Sequence, residues 1–189
     1  MMWHKTGIGA IIDAEARIFT EECIMVRQIH LALCMAGLIA LLPLVDAEQA
    51  RAAKKMPSFE LEDVTTGDSI ASSSFAGKSL LVTFWATWCP PCVQEIPSLI
   101  KLQKKYGENG FSVVAISVDQ EKGVVQKMVN RKEINYPVMM ADKSVTRDFG
   151  GVYGIPTSFL VSKKGTVVKR YSGFVPHSVL VKDLQQIIN

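Results

Sequence analysis

The sequence is poor in the residues that bind metals or cross-link a chain. It has four cysteines and three histidines in 189 residues, and only Cys89, Cys92 and His177 lie after residue 47. A structural zinc site takes four ligands, and a disulfide framework needs several cysteine pairs. Covalent haem attachment needs a His directly after the second cysteine, where Val93 stands. We therefore expect no metal site and no cofactor.

The sequence also lacks blocks of like charge. It carries 21 Lys and Arg against 18 Asp and Glu, a formal net charge of +3, and these residues are scattered along the chain. Nucleic-acid-binding proteins concentrate basic residues in a patch or along a helix, so we expect no nucleic-acid partner. The length and the 48% hydrophobic content suit one globular domain with a sizeable core. We expect it to be a monomer.

No apolar run reaches the roughly 20 residues of a membrane-spanning helix. The longest, residues 31–45, follows a short basic lead and ends in small residues of the kind that precede a signal cleavage site. We predict that residues 25–47 are a secretory signal, with a retained membrane anchor as the alternative, and that residues 1–24 are an upstream extension. Residues 48–55 read as a loose lead-in to a domain at 56–189. Cleavage after Ala47 would leave one cysteine pair in an exported, periplasmic or other extracytoplasmic protein.

That pair lies where a predicted strand is followed by a predicted helix. Leu80–Trp85 is apolar and rich in aromatics, which is typical of a buried strand. After Cys92, apolar residues recur at helical spacing. Because the N-terminus of a helix has free N–H groups and a positive dipole, it favours the thiolate of Cys89. A bridge between residues this close constrains the unfolded chain little, so we predict dithiol–disulfide exchange instead of a structural cross-link.

Two stretches carry a resemblance to a known family. Phe84-Trp85-Ala86-x-Trp88-Cys89-x-Pro91-Cys92 resembles the active site of the thioredoxin superfamily. With Glu95 and the segment at 150–161, the pattern is similar to the TlpA/ResA-type extracytoplasmic branch, over about residues 56 to 188. The resemblance implies an α/β thioredoxin-like fold, with a central mixed sheet flanked by helices. It also implies an N-terminal β-hairpin and a helix–strand insertion at 121–141.

Local patterns predict the individual elements of that fold. The hairpin strands are predicted at 57–64 and 69–71, and the second helix is predicted to bury Val124, Val125, Met128 and Val129. Further strands are predicted at 80–85, 111–119, 136–141, 157–161 and 166–171, and helices after Cys92 and at 121–132, 145–149 and 177–188.

The resemblance also assigns roles around the dithiol. It implies that Pro156 follows a cis peptide bond and faces the cysteines, so that Ile155, Pro156 and Thr157 bind a client chain as an added strand. Trp88 is predicted to be an exposed aromatic surface for the partner. Trp85, in contrast, is predicted to be a core residue of its strand.

Glu95, three residues after Cys92, has two interpretations. It is either an exposed carboxylate favoured by the helix dipole, or a carboxylate that raises the thiol pKa and relays a proton. Plain thioredoxins have a buried Asp six residues before the first cysteine, where this chain has Thr83, so Glu95 is the candidate for that role. Pro90 and Pro91 have no N–H, which argues against an extremely low pKa for Cys89.

Together these features predict an exported thiol–disulfide oxidoreductase that reduces client proteins, in which Cys89 attacks and Cys92 resolves. The resemblance implies a membrane electron donor of the DsbD/CcdA kind, and clients such as apocytochrome c or copper-site assembly proteins. Thr157 stands where Ccm-type cytochrome c maturation reductases carry Glu. One alternative is a peroxiredoxin-like peroxidase, although Ala86 and Thr83 replace its motif residues. The other is a copper-binding thiol module, although the sequence lacks a Met- or His-rich site.

Overall fold

The computed structural model describes residues 54–188, so the predictions for residues 1–53 lie outside the described part. The strands are β1 (Glu60–Glu62), β2 (Ser69–Ala71), β3 (Ser79–Trp85), β4 (Phe111–Ser117), β5 (Val138–Met140), β6 (Thr157–Val161) and β7 (Val167–Ser172). The helices are α1 (Pro90–Tyr106), α2 (Lys122–Lys132), α3 (Lys143–Asp148) and α4 (His177–Ile188). Short 3-10 helices precede β3 and β4.

A five-stranded mixed sheet, in the order β5-β4-β3-β6-β7, forms the centre of the fold. β3, β4 and β5 are parallel, whereas β6 runs antiparallel to β3 and β7 antiparallel to β6. β3 and β4 are buried along their whole length, as expected for parallel strands covered on both faces. The thioredoxin-like α/β prediction is confirmed. Its topology brings the carboxyl end of β3 and the start of β6 to the same end of the sheet.

The alternation of side chains along β3 separates two apolar clusters. Leu81 and Trp85 pack on one side with residues of α1, α2 and α4, and Trp85 is a core residue as predicted. Leu80, Val82 and Phe84 pack on the other side with residues of α3 and the N-terminal hairpin. Cys89 and Cys92 belong to the first cluster.

The predicted hairpin and insertion are both present, and they contact each other. The N–H of Val64 donates to the carbonyl of Val138 at 2.9 Å, and Asp63 forms an isolated bridge with Met139. The hairpin strand is shorter than predicted because regular pairing stops at Glu62. On α2 the prediction for Val124 is wrong, because this side chain is exposed. The buried residues of that helix are Val125, Met128 and Val129.

The ordered pairing begins before residue 56. The N–H of Val167 donates to the carbonyl of Lys54 at 2.9 Å, and Lys55 forms an antiparallel bridge with Thr166. These two lysines, predicted as part of a loose lead-in, therefore extend the sheet beside β7. Within residues 54–188, no helix is both long enough and apolar enough to cross a membrane.

Candidate active site

The cysteine pair is held by the junction of β3 and α1. Cys89 is the N-cap of α1, and its Sγ accepts a hydrogen bond from the N–H of Cys92 at 3.3 Å. Pro90 and Pro91 fill the first helical turn, where a missing N–H costs little. Because neither proline has an N–H, Cys92 supplies the first backbone donor of the helix. The local sequence thus gives the Cys89 sulfur one backbone donor within the motif.

Cys89 and Cys92 are joined in a disulfide, with their Cα atoms 5.3 Å apart. Both residues are nearly enclosed, at 4% and 2% exposure. A partner sulfur therefore reaches this bond only if the partner fits closely against the surrounding surface. The arrangement supports disulfide exchange with a docked chain.

Glu95 is buried, with only 3% of its surface exposed, so the interpretation as an exposed carboxylate is wrong. Its Oε1 accepts a hydrogen bond from the N–H of Val175 at 2.5 Å, in the loop between β7 and α4. Burial raises the pKa of Glu95 above its ordinary value, and the bond from Val175 partly opposes that change. On a helix, residues three apart share a face with Cβ atoms about 5–6 Å apart. Glu95 therefore lies one turn from Cys92 on the same side of α1.

Two other polar groups lie on this side of the sheet. Burial and then the charge of Glu95 raise the pKa of Tyr136 well above its ordinary value, so its phenol stays neutral. Thr83 is also buried, and its Oγ1 accepts a hydrogen bond from the Oγ of Ser158 at 2.9 Å. The position at which plain thioredoxins have a carboxylate is thus filled by a hydroxyl bonded to a neighbouring strand.

The peptide bond between Ile155 and Pro156 is cis, which confirms the prediction. β6 starts at Thr157, which pairs with Phe84 near the end of β3, so the cis bond lies beside the active-site loop. The Oγ1 of Thr157 donates to the carbonyl of Gly154 at 2.7 Å. Its hydroxyl therefore stabilises its own loop, and client contact at this residue stays a prediction.

Trp88 is 67% exposed, so the predicted exposure is confirmed, whereas its contact with a client stays a prediction. Two further exposed aromatic residues, which the sequence analysis missed, lie in the chain close to the cis bond and to Val175. Tyr153 precedes the cis bond by two residues, and Phe174 directly precedes Val175. A single aromatic residue in a loop carries no periodicity signal, so only the structure reveals its exposure.

Sequence analysis also missed Asp119, a buried acid two residues after β4. Its Oδ2 accepts hydrogen bonds from the N–H of Thr87 at 2.9 Å and from the Oγ of Ser117 at 2.7 Å. Its Oδ1 accepts one from the Oγ1 of Thr87 at 2.7 Å. A hydrogen bond to a charged group contributes about 1.5–3 kcal/mol, so this cluster fixes the active-site loop firmly. The sequence signal that could have identified Asp119 is its position as an acid just beyond a buried strand.

Comparison with known proteins agrees with this geometry. Residues 51–188 match the family model described as Redoxin. The chain belongs to the Redoxin family. It is similar to a thiol-disulfide oxidoreductase ResA from Halalkalibacterium halodurans, at 31% identity over 143 residues, covering 76% of this chain and 80% of that protein. The ResA of Bacillus subtilis is 34% identical over 124 residues, covering 66% and 69% of the two chains.

Solved structures extend the likeness. A thioredoxin-family thiol:disulfide interchange protein from Chlorobium tepidum has a TM-score of 0.68 and 34% identity, covering 72% of this chain and 97% of that one. The resemblance to ResA-type proteins of the thioredoxin superfamily is thereby confirmed. This redoxin is a thiol–disulfide oxidoreductase of the ResA/DsbE type.

Proposed function

We propose that this redoxin acts as a reductant of disulfides in client proteins, and that Cys89 and Cys92 carry the reaction. The observation that supports this direction of electron flow is the buried carboxylate of Glu95, one helical turn from Cys92. A nearby negative charge opposes ionisation of a thiol and raises its pKa. The reduced pair is then less stabilised as thiolate, which makes it a better electron donor.

The reaction follows from the order of the two cysteines on α1. In the reduced protein, the Cys89 thiolate attacks one sulfur of the client disulfide, and the other client sulfur leaves as a thiolate that takes up a proton. Cys92 then loses its proton and attacks the Cys89 sulfur, which breaks the mixed disulfide and releases the second client thiol. The client gains two electrons, and the Cys89–Cys92 bond forms.

Glu95 fits the role of proton acceptor for Cys92 in the second step. Burial raises its pKa, which brings the carboxyl closer to the pH range in which a general base works best. The same charge, with the single backbone donor to the Cys89 sulfur, argues against a strongly stabilised thiolate. We expect a reduction potential nearer the roughly −270 mV of thioredoxin than the roughly −120 mV of DsbA.

Client binding is assigned to the surface beside the disulfide. The backbone of Ile155, next to the cis bond, is proposed to pair with an extended client segment as an added strand. Trp88, exposed directly before Cys89, is proposed to contact the residues that flank the client cysteine. Aromatic side chains give large contact area with little loss of conformational entropy, which suits a surface that must close over a small bond.

We further propose that the protein works outside the cytoplasm, because residues 25–47 have the pattern of a secretory signal. We also propose that it works as a monomer. A membrane electron donor of the DsbD/CcdA kind would then restore the reduced form. The proposed clients are apocytochrome c or copper-site assembly proteins. Mass spectrometry of protein from the native host should find a mature N-terminus near Glu48, and recovery of the full-length chain from the cytosol would contradict export.

Trapping of the mixed disulfide tests the reaction. With Cys92→Ser, the covalent complex at Cys89 should accumulate, because the resolving thiol is gone. Proteins captured from an extracytoplasmic extract should be released by dithiothreitol and identified by mass spectrometry. Cys89→Ser is the matched control and should capture none. Capture by the Cys89 variant alone would reverse the two roles.

A further inference from the structure

A buried carboxylate joins the end of β4 to the loop that carries the dithiol. Both oxygens of Asp119 accept hydrogen bonds from one residue, Thr87, through its N–H at 2.9 Å and its Oγ1 at 2.7 Å. Ser117 adds a bond from its Oγ at 2.7 Å, and the N–H of Asp119 returns one to that oxygen at 3.1 Å. The end of β4 and the active-site loop therefore meet at one side chain.

The carboxyl group of this cluster is buried, and its described partners are hydrogen-bond donors. Asp119 is 8% exposed, and the ion pairs found within residues 54–188 do not include it. A buried charge without a counter-ion has to be satisfied by hydrogen bonds, and bonds to an ionised acceptor are the strong ones. Thr87 supplies two of the three hydrogen bonds that the Asp119 carboxylate accepts. Displacing Thr87 would therefore leave most of the carboxylate unsatisfied.

Thr87 is also the second residue of the turn that leads into α1. The N–H of Cys89 donates to the carbonyl of Ala86 at 3.2 Å, which closes a four-residue turn with Thr87 and Trp88 at its centre. A further bond, from the N–H of Val118 to the carbonyl of Trp85 at 2.9 Å, holds the strand end beside it. Fixing Thr87 therefore fixes the direction of Trp88 and the approach of Cys89 to the helix.

We propose that Asp119 is a positioning residue for the dithiol, acting through Thr87 to hold the Cys89 sulfur on the N-terminus of α1. This inference rests on the proposed function, because it concerns the reactivity of the same thiol. The Cys89 sulfur lies at 3.3 Å from the N–H of Cys92, and this donor favours the thiolate. When the turn loosens, the sulfur spends less time at that position, so its pKa rises and its attack on a disulfide slows.

Positioning and plain charge predict opposite changes in the thiol pKa. Removal of a negative charge near a thiol lowers the pKa of the thiol, whereas loss of the helix-terminal position raises it. Thr87→Val separates the two effects. It deletes the hydroxyl bond to Asp119 but keeps the shape of the side chain at residue 87, and it leaves the charge of Asp119 in place. Thr87→Ser keeps the hydroxyl and is the rescue variant.

The experiment uses the reduced full-length chain and a small aromatic disulfide that releases a coloured thiolate. Misplacement of a reacting group by about 1 Å costs up to roughly 100-fold in rate; on that scale we expect about a 10-fold loss with Asp119→Ala and about 3-fold with Thr87→Val. Thr87→Ser should stay within about 2-fold of wild type. Alkylation of Cys89 against pH should give a raised pKa in the first two variants.

Ser117→Ala is the control for a merely structural effect. It deletes a fully buried hydroxyl that bonds Asp119 but leaves both bonds to Thr87, so it should lower the melting temperature without changing the rate or the pKa. Wild-type rates in folded Asp119→Ala and Thr87→Val, or a lowered pKa in Asp119→Ala with no change in Thr87→Val, would overturn the proposal. If Asp119→Ala does not fold, the two Thr87 variants decide. An unreactive wild-type thiol would instead refute the proposed function.

Discussion

The segments around the dithiol differ in charge from the opposite end of the central sheet. At the end where β3 leads into the dithiol, the segments 86–94, 151–162 and 172–181 contain no Asp, Glu, Lys or Arg, and the nearby acids Glu95 and Asp119 are buried. The opposite end has nine of the 17 Lys and Arg of residues 54–188 but only Glu108 and Glu133 among its acids. The basic residues there are Lys54, Lys55, Lys78, Lys104, Lys105, Arg131, Lys132, Lys163 and Lys164.

Part of this difference has a structural cause. α1 and α2 both end at the basic end, and cations stabilise the negative C-terminus of a helix dipole, which accounts for Lys104, Lys105, Arg131 and Lys132. The uncharged segments instead carry the exposed aromatic residues Trp88, Tyr153 and Phe174. On the proposed function, buried charges set the reactivity of the thiols, while the surface that we propose meets the client offers shape and apolar contact.

The largest expected effect separates the two ends directly. Cys89→Ser should abolish reduction of a protein disulfide, because no thiolate remains to attack. The double variant Lys163→Glu/Lys164→Glu, at the turn between β6 and β7, should keep turnover within about 2-fold, since exposed charges more than a Debye length of about 10 Å away are screened. Turnover is measured by thiol release from a disulfide-bonded protein. A large loss in the lysine variant would break the comparison.

Glu95→Gln tests the buried charge beside the dithiol. The neutral amide keeps an acceptor for the N–H of Val175 but removes the charge, so the Cys89 pKa should fall and the reduction potential should become less negative by up to a few tens of millivolts, where about 30 mV corresponds to tenfold in the equilibrium constant. Alkylation against pH and equilibration with glutathione measure the two quantities. Unchanged values would leave Glu95 with a structural role only.

The same variant should change how stability depends on pH. Because burial raises the pKa of Glu95 in the folded protein above its ordinary 4.5, the folded state binds this proton more tightly than the unfolded state. The stabilisation from this group is complete below pH 4.5 and is lost as the pH rises through the raised folded value. Urea unfolding should show this decline in wild type and lose it in Glu95→Gln; parallel curves would contradict it.

A smaller effect is expected from the exposed aromatic surface. Trp88→Ala should raise the KM for a protein client by about 5- to 10-fold, or about 1–1.4 kcal/mol, since partial burial of the ring contributes less than the roughly 1.5–3 kcal/mol of full burial. The rate with a small disulfide should change little, because that substrate does not reach the surrounding surface. Val124→Ala, at an exposed site on α2, is the matched control. Equal losses with both substrates would place Trp88 in the chemistry instead.

The smallest effect concerns salt. Because the segments around the disulfide lack formal charge, the rate of client reduction should change by less than about 2-fold between low and high ionic strength, whereas electrostatically steered association falls steeply. Stopped-flow rates with an acidic client peptide across a sodium chloride series measure this. A steep decline would show that the basic end takes part in client capture.

Much of the fold was predictable because its signals are local. Continuous apolar runs identified β3 and β4, and the spacing after Cys92 identified α1. The errors also have local causes: Val124 continues an apolar run, yet it lies about 100° around the helix from Val125 and faces outward. Lys54 and Lys55 look polar and loose in sequence, but their backbone pairs beside β7.

Local sequence was enough to predict the dithiol, its place on a helix N-terminus and the two prolines that limit its donors, since these lie within a few consecutive residues. The tertiary structure alone decided the surroundings. Glu95 is satisfied by Val175, 80 residues away, and Thr87 is held by Asp119, 32 residues away. The fold also brings together, at one end of the sheet, lysines that are scattered along the sequence. Hydrophobic periodicity says which face is buried, but the pairing of buried polar groups depends on which distant segments the fold brings into contact.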